Sequence, residues 1–231
     1  MELALRELNN EDEEKFLVVG TCFNLNSLSV AVLEYKSTEE YVKVKSVDTF
    51  PWGSDTENEM RYIKKLYHLY DRLGVIFQSG KIKYITTVVQ KEKDIRYRGL
   101  KARGVVDLAL WITQGVLLKQ FKKGRIKERI TGSMLASNAD FCEALSTYCT
   151  YETQRSTHKD IGKELAIGSA LAMLVENNYL TTEIHPNYVG KCVTYDEWSR
   201  GQRKAKKRRM NAEIDAQTGQ ETVQETVQED K

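Results

Sequence analysis

Lysine and arginine are the residues whose spacing in this sequence points most directly to chemistry. Between Lys81 and Arg129 fourteen bases stand against four acids, a local charge of +10 in a chain whose net charge is only +2. The densest runs are Lys91, Lys93, Arg96, Arg98, Lys101 and Arg103, followed by Lys122, Lys123 and Arg125. Cations clustered in this way attract a polyanion, because each phosphate they neutralise releases condensed counterions. Nucleic acid is the natural candidate. Seven further bases with no acid lie between Ser199 and Arg209, a run that reads equally well as a solvated face. The middle segment differs, since Tyr97 and strand-like apolar residues interleave with its charges and should hold them on a folded surface. Both ends of the chain are acidic: Met1 to Phe16 has six acids against two bases, and Met210 to Lys231 has six against one.

Other chemistries find less support. Cys22, Cys142, Cys149 and Cys192 are too few and too scattered for a disulfide framework. Cys142 and Cys149 are a heptad apart with no second close pair, which argues against a closed zinc site, so reduced thiols are expected. His68, His158 and His185 are dispersed, and Cys22, with no histidine near it in sequence, reads as a small buried residue rather than a nucleophile. Asp160 and Glu164 are four apart and share one helical face. Two acids opening a helix also offset its macrodipole, and that reading is at least as good as any ligand role.

The elements that must position these groups belong to one medium-sized domain with tails, as 231 residues with 41% hydrophobic and 29% charged content suggest. No apolar run approaches the roughly 20 residues of a bilayer span. The acidic opening lacks the basic start and apolar stretch of a signal peptide, so a cytoplasmic or nucleoid-associated protein that is neither secreted nor membrane-bound is expected. Phe16 to Tyr35 reads as two strands around the polar turn Asn24-Leu25-Asn26-Ser27, and Tyr41 to Phe50 alternates as a third. Apolar residues at helical spacing predict a helix over Glu57 to Gln78, ending near Gly80. Lys83 to Gln90 is a β-branched strand. A long buried helix is expected over Lys101 to Phe121, a short strand at Ile126 to Ile130, a helix at Asn138 to Cys149, and a last helix from about Lys159 to Asn177. The sum is an α/β domain with a mixed central sheet, three antiparallel strands then parallel ones, flanked by helices. Boundaries follow: an acidic lead-in at 1–15, the domain at 16–180, an extension with the basic run at 181–209, and a low-complexity acidic, Gln-rich tail at 210–231.

This order, with the local sequences Val18-Val19-Gly20-Thr21-Cys22-Phe23-Asn24, Thr86-Thr87-Val88-Val89-Gln90, Arg98-Gly99-Leu100-Lys101 and Lys159-Asp160-Ile161-Gly162-Lys163-Glu164-Leu165-Ala166, resembles the RNase H-like superfamily and within it the RuvC-type Holliday junction resolvases. The resemblance covers roughly Phe16 to Asn177. It implies a Mg²⁺-dependent, structure-specific endonuclease that acts on branched DNA as a homodimer, with carboxylates at the ends of the first and fourth strands and on the last helix holding two metal ions. The family's first carboxylate position reads here as Cys22 and its fourth-strand position as Gln90, neither a hard anionic ligand for Mg²⁺. Asp160 and Glu164 remain as metal ligands, with Glu92 as a substitute for the fourth-strand acid or an exposed loop charge. The basic residues named above would meet phosphates. Two readings follow: a resolvase-like nuclease with an unorthodox ligand set, or an inactive RNase H-like fold retained as a DNA- or RNA-binding or regulatory module. A protein-interaction scaffold is the weaker third.

Overall fold

An apolar run and the alternating segments that follow it become three antiparallel strands, β1 (Lys15–Phe23), buried on both faces beyond Lys15, β2 (Ser27–Lys36) and β3 (Lys43–Pro51). They belong to a computed structural model that describes residues 14–24, 27–51, 58–78, 80–89, 97–112, 117–151, 161–191, 193–194 and 196–205. Helix α1 (Glu59–Gln78) leads to β4 (Ile82–Val89), α2 (Tyr97–Ile112) to β5 (Leu117–Lys122), and then come α3 (Lys123–Thr131), α4 (Asn138–Leu145) and α5 (Gly162–Glu176). The strands form one sheet in the order β3-β2-β1-β4-β5, with β4 parallel to β1 and β5 parallel to β4. This is the mixed sheet the sequence leads one to expect.

Two sequence expectations are corrected. The helix expected over Lys101 to Phe121 ends at Ile112, and its last segment is β5. A short apolar run satisfies a buried parallel strand as well as a helix, and pairing of Leu117 to Lys122 with Tyr84 to Val89 decides for the strand. The strand expected at Ile126 to Ile130 is instead α3. Its buried residues, Ile126, Lys127, Ile130 and Thr131, recur at helical spacing, and Gly132 closes it in the left-handed conformation at φ 79°.

Successive side chains of β1 enter different cores. Phe16, Val18 and Cys22 pack with residues of α3, α4 and α5, whereas Leu17, Val19 and Phe23 pack with α1 and α2. Helix α5 lies directly on the sheet because Gly20 has no side chain there. A Cβ at Gly20 would stand 1.9 Å from the Ala166 carbonyl oxygen. Three positions on, the Ser169 hydroxyl meets that of Thr86 on β4 at 2.8 Å, both fully buried.

Near the other end of the strands, Lys83 sits among rings. Its Nζ is 4.6 Å from the centroid of Phe16 and 4.8 Å from that of Tyr179, and it donates to Glu14 Oε1 and the Tyr179 hydroxyl, each at 2.5 Å. Cation–π attraction and the charge-assisted bonds act together, and the Glu14 bond is the largest of the influences that push the Lys83 amine well above the usual lysine range. The residue preceding β1 is thereby tied to Tyr179, just beyond α5.

Candidate functional site

The end of β1 next to the start of α5 is where the sequence puts its most unusual residue. Cys22 is fully buried and pairs across the ladder with Ser29 on β2 and with Val88 on β4. Its thiol points to Asn24 Oδ1 at 3.8 Å, and the Asn24 amide N–H closes the turn by donating to the Ser27 carbonyl at 2.7 Å. Helix α5 reaches this corner through Gly162: a Cβ there would lie 1.9 Å from Asn24 Nδ2 and 3.0 Å from Ser29 Oγ. The Asn24 side chain therefore fills the gap between strand end and helix. A thiol, an amide and a hydroxyl meet at this corner, none of them a carboxylate.

Glu164 is almost wholly buried at 3% exposure, yet it is turned away from that corner. Gly162, Ala166 and Ser169 face the sheet, whereas Gly168 meets Phe141 of α4 and Ile126 of α3. Glu164, four residues before Gly168 and about 200° round the helix from Gly162, shares the second face. Its charge is felt there: burial first and the Glu164 carboxylate second push the Cys142 thiol up to about 11, and the same two causes raise the Tyr151 phenol. Asp160, Gln90, Glu92, Lys91, Lys93 and Arg96 lie outside the described residues. Among the described residues no three His, Cys, Asp or Glu side chains group so as to hold a metal ion. The groups at the end of β1 do not fit Mg²⁺, which takes hard, anionic oxygen ligands.

The structure distributes the basic residues over two regions. Arg98 is in the first turn of α2. On the same helix Lys101 pairs with Glu59 at 3.1 Å and Arg103 with Asp107 at 4.0 Å. At the junction of β5 and α3, Lys122 and Lys123 are exposed. Arg125 reaches Glu128 at 3.3 Å and Asp196 at 3.5 Å. The second contact matters, because Asp196 opens the helix at 196–205, whose Arg200, Arg203 and Lys204 are exposed. Together with the backbone bond from Met134 N–H to the Val193 carbonyl at 3.0 Å, it brings part of the C-terminal basic run beside α3. Sequence reasoning missed this junction; Asp196, the acid just ahead of the run of bases, was the available signal.

One lysine of this region is no phosphate contact. Lys127 is buried and its amine donates to the Ala136 carbonyl. Burial, with Lys123 adding repulsion, lowers its pKa to about 8. Below about pH 8 the amine is charged in both folded and unfolded chains and the full burial cost is felt. Between about pH 8 and 10.5 the folded protein sheds a proton that the unfolded chain keeps, so stability gains with rising pH. Wild type should therefore gain about 2 kcal/mol on Lys127→Met between pH 8 and 10, measured by denaturant unfolding of both proteins across that range.

Comparison with known proteins agrees with the geometry. No protein-family model matches the sequence, and no curated protein matches it. Among solved structures the similarity is clear: the chain has the RNase H-like fold in its RuvC-type form. The structure of Thermus thermophilus RuvC in complex with Holliday junction substrate is similar over 71% of this chain and 96% of that one, with a TM-score of 0.57 and 14% identity. A second structure of Thermus thermophilus RuvC is similar over 73% and 99%, with a TM-score of 0.55 and 14% identity. No described helix is long and apolar enough to cross a membrane.

Proposed function

We propose that this chain binds branched DNA through its RuvC-type fold and does so without the two-metal cleavage that the resemblance implies. The observation that carries the second half is the corner at the end of β1, where Cys22 is fully buried and the Asn24 amide lies flush against Gly162. Two-metal hydrolysis needs anionic oxygens on both sides of an open, solvated gap. The first half is supported by the junction substrate in the similar Thermus thermophilus RuvC structure and by the +10 segment, of which Lys122 and Lys123 are exposed in the fold. Two copies would match the two symmetric strands of a four-way junction.

A gel assay with four-way-junction, duplex and single-stranded DNA, at two salt concentrations and with Mg²⁺ or EDTA, tests this. The expected result is junction binding that weakens steeply with salt, is indifferent to EDTA, and leaves every strand intact. Symmetric Mg²⁺-dependent nicks abolished by Glu164→Ala would establish instead the endonuclease reading, with Asp160, Glu164 and Glu92 as its ligands. Absence of salt-sensitive binding to any of the three DNAs would remove the nucleic-acid reading altogether.

A further inference from the structure

Where β1 begins, the sheet carries a hollow that neither the corner at Cys22 nor the basic surface at α3 accounts for. Its volume is about 410 Å³, with Leu17 and Val32 as its apolar lining and Lys15, Lys45, Lys81 and Glu34 around them. Pockets that take small molecules usually measure roughly 300–1,000 Å³. Two backbone features shape this one. In the β2–β3 ladder Val32 pairs with Ser46 and Leu33 with Val44, so Lys45 is an extra residue, and such a bulge re-aims the side chain it carries. Lys45 Nζ thereby comes within 4.0 Å of Glu34 Oε2 on the neighbouring strand. Gly80 lies directly over Leu17, since a Cβ there would stand 2.9 Å from Leu17 Cδ1. The Leu17 N–H donates to the Lys81 carbonyl at 2.9 Å, which fixes Lys81 at the rim.

Glu34 is only 7% exposed, and a carboxylate so deep has to be matched by partners. Burial acts to raise it, yet the amines of Lys15, Lys45 and Lys36 outweigh burial and hold it below the usual carboxylate range. It is therefore an anion at neutral pH. Both of its ion pairs use one oxygen: Oε2 is 3.2 Å from Lys15 and 4.0 Å from Lys45, and no described group bonds Oε1. That oxygen can accept from an N–H donor. The surrounding charge is unmatched as well, because three lysines less one carboxylate leave a balance of +2. Glu14, the other acid near Lys81, is itself bonded to Lys83.

We propose that this hollow binds a nucleoside 5′-monophosphate whose base carries an amine. A phosphate monoester bears about −1.5 to −2 charges at pH 7, which the three amines match. The planar base lies against Leu17 and Val32, and its amine donates to Glu34 Oε1. A carboxylate ligand would bring a single charge, and a sugar phosphate would bring hydroxyls where the lining is apolar. A free nucleotide and the 5′-phosphorylated end of a DNA strand offer the same chemistry, and the experiment separates them. The inference goes beyond the branched-DNA reading and does not depend on it, since the hollow is at the opposite end of β1 from Cys22.

Isothermal titration calorimetry of the full chain with AMP, without DNA, is the test. One AMP per chain is expected, with a Kd below about 1 mM. Adenosine, which lacks the phosphate, and purine riboside monophosphate, which lacks the amine, should each bind at least about tenfold more weakly. Lys45→Gln and Lys81→Gln should each weaken AMP binding about tenfold, with circular dichroism showing both variants folded as wild type. Glu34→Gln turns a charge-assisted bond into a neutral one and should narrow the gap between AMP and purine riboside monophosphate. A 5′-phosphorylated DNA strand beginning with adenosine that displaces AMP assigns the site to strand ends, and one that fails to displace it assigns the site to the free nucleotide. Absence of saturation at ten times the stated AMP concentration, equal affinity for AMP and adenosine, or affinity indifferent to both lysine variants would overturn the proposal. Junction binding is scored separately in the gel assay, so failure of this site and failure of the DNA reading remain distinguishable.

Discussion

Gly20→Ala should lower the stability of the domain by about 3 kcal/mol, at the upper end of the usual cost of overpacking. The added methyl would stand 1.9 Å from the backbone oxygen of Ala166 and 2.9 Å from Ser169 Oγ, so α5 must move off the sheet. That movement also parts the Ser169 and Thr86 hydroxyls, which are fully buried and lie 2.8 Å apart, and although each keeps a bond to a backbone carbonyl, Ala166 and Val19 respectively, the lost bond between them adds to the cost. For a chain of this size the loss corresponds to roughly 10 °C in melting temperature, readily seen by calorimetry. Gly162→Ala is the informative contrast. Its nearest obstacle, also at 1.9 Å, is the end of the Asn24 side chain rather than backbone, and a side chain can turn aside. The change should stay within about 1 kcal/mol of neutral, while Asn24 swings out and uncovers Cys22. Thiol labelling mapped by mass spectrometry should then find Cys22 reactive in Gly162→Ala and protected in wild type; equal protection in both would show that Asn24 does not cover the strand end.

Replacing Lys122 and Lys123 together by Gln should flatten the dependence of junction binding on salt. Each phosphate contact contributes about 0.9 to the slope of log K against log salt, so the pair should reduce it by about 2. Both side chains are exposed at the junction of β5 and α3, so the fold should tolerate the change, and stability unaltered in urea would separate lost contacts from lost structure. Arg125→Gln should act differently. It removes the link to Asp196 and so loosens the helix at 196–205, which carries Arg200, Arg203 and Lys204. Its effect on binding should exceed that of one contact and should largely vanish in a chain cut before Asp196. An unchanged slope in the double variant would place the phosphate-binding surface elsewhere.

Much of this fold is legible in the sequence. The apolar run at Phe16 to Gly20 and the alternation in the two segments after it point to three strands, the first buried on both faces, and the apolar spacing from Met60 to Phe77 points to α1. Leu117 to Lys122 misled for a physical reason. Its neighbours up to Ile112 are helical, the run is short, and only its partner strand, far away in sequence, selects extended backbone. The start of α5 was legible in part. The spacing of four predicts one helical side for Asp160 and Glu164, but α5 begins at Gly162 and Asp160 lies outside the described residues; which side of the helix faces the sheet is set by small residues, Gly162, Ala166 and Ser169, that let it come close. Those residues were in plain sight, and reading them as a packing face would have placed Glu164 on the far side. Met60, Ile63, Tyr67 and Tyr70 share the helical spacing that predicts α1, yet they are exposed, because spacing alone does not tell which side of a helix meets the core.

The tie between Glu14, Lys83 and Tyr179 bears on how the chain reaches this state. The Tyr179 hydroxyl lies 3.2 Å from Glu14 Oε1, a contact that spans 165 residues, and α5 covers the strand that Glu14 precedes. A ribosome releases the central strands long before it releases the helix that must lie on them. Until residue 176 has emerged, one apolar surface of the sheet lacks the helix that covers most of it and the groove at Gly20 is unfilled, so nascent chains should stay protease-sensitive and then close late. The last helix of the domain thus acts as its checkpoint, and fragments ending ahead of residue 162 should be held by chaperones rather than fold.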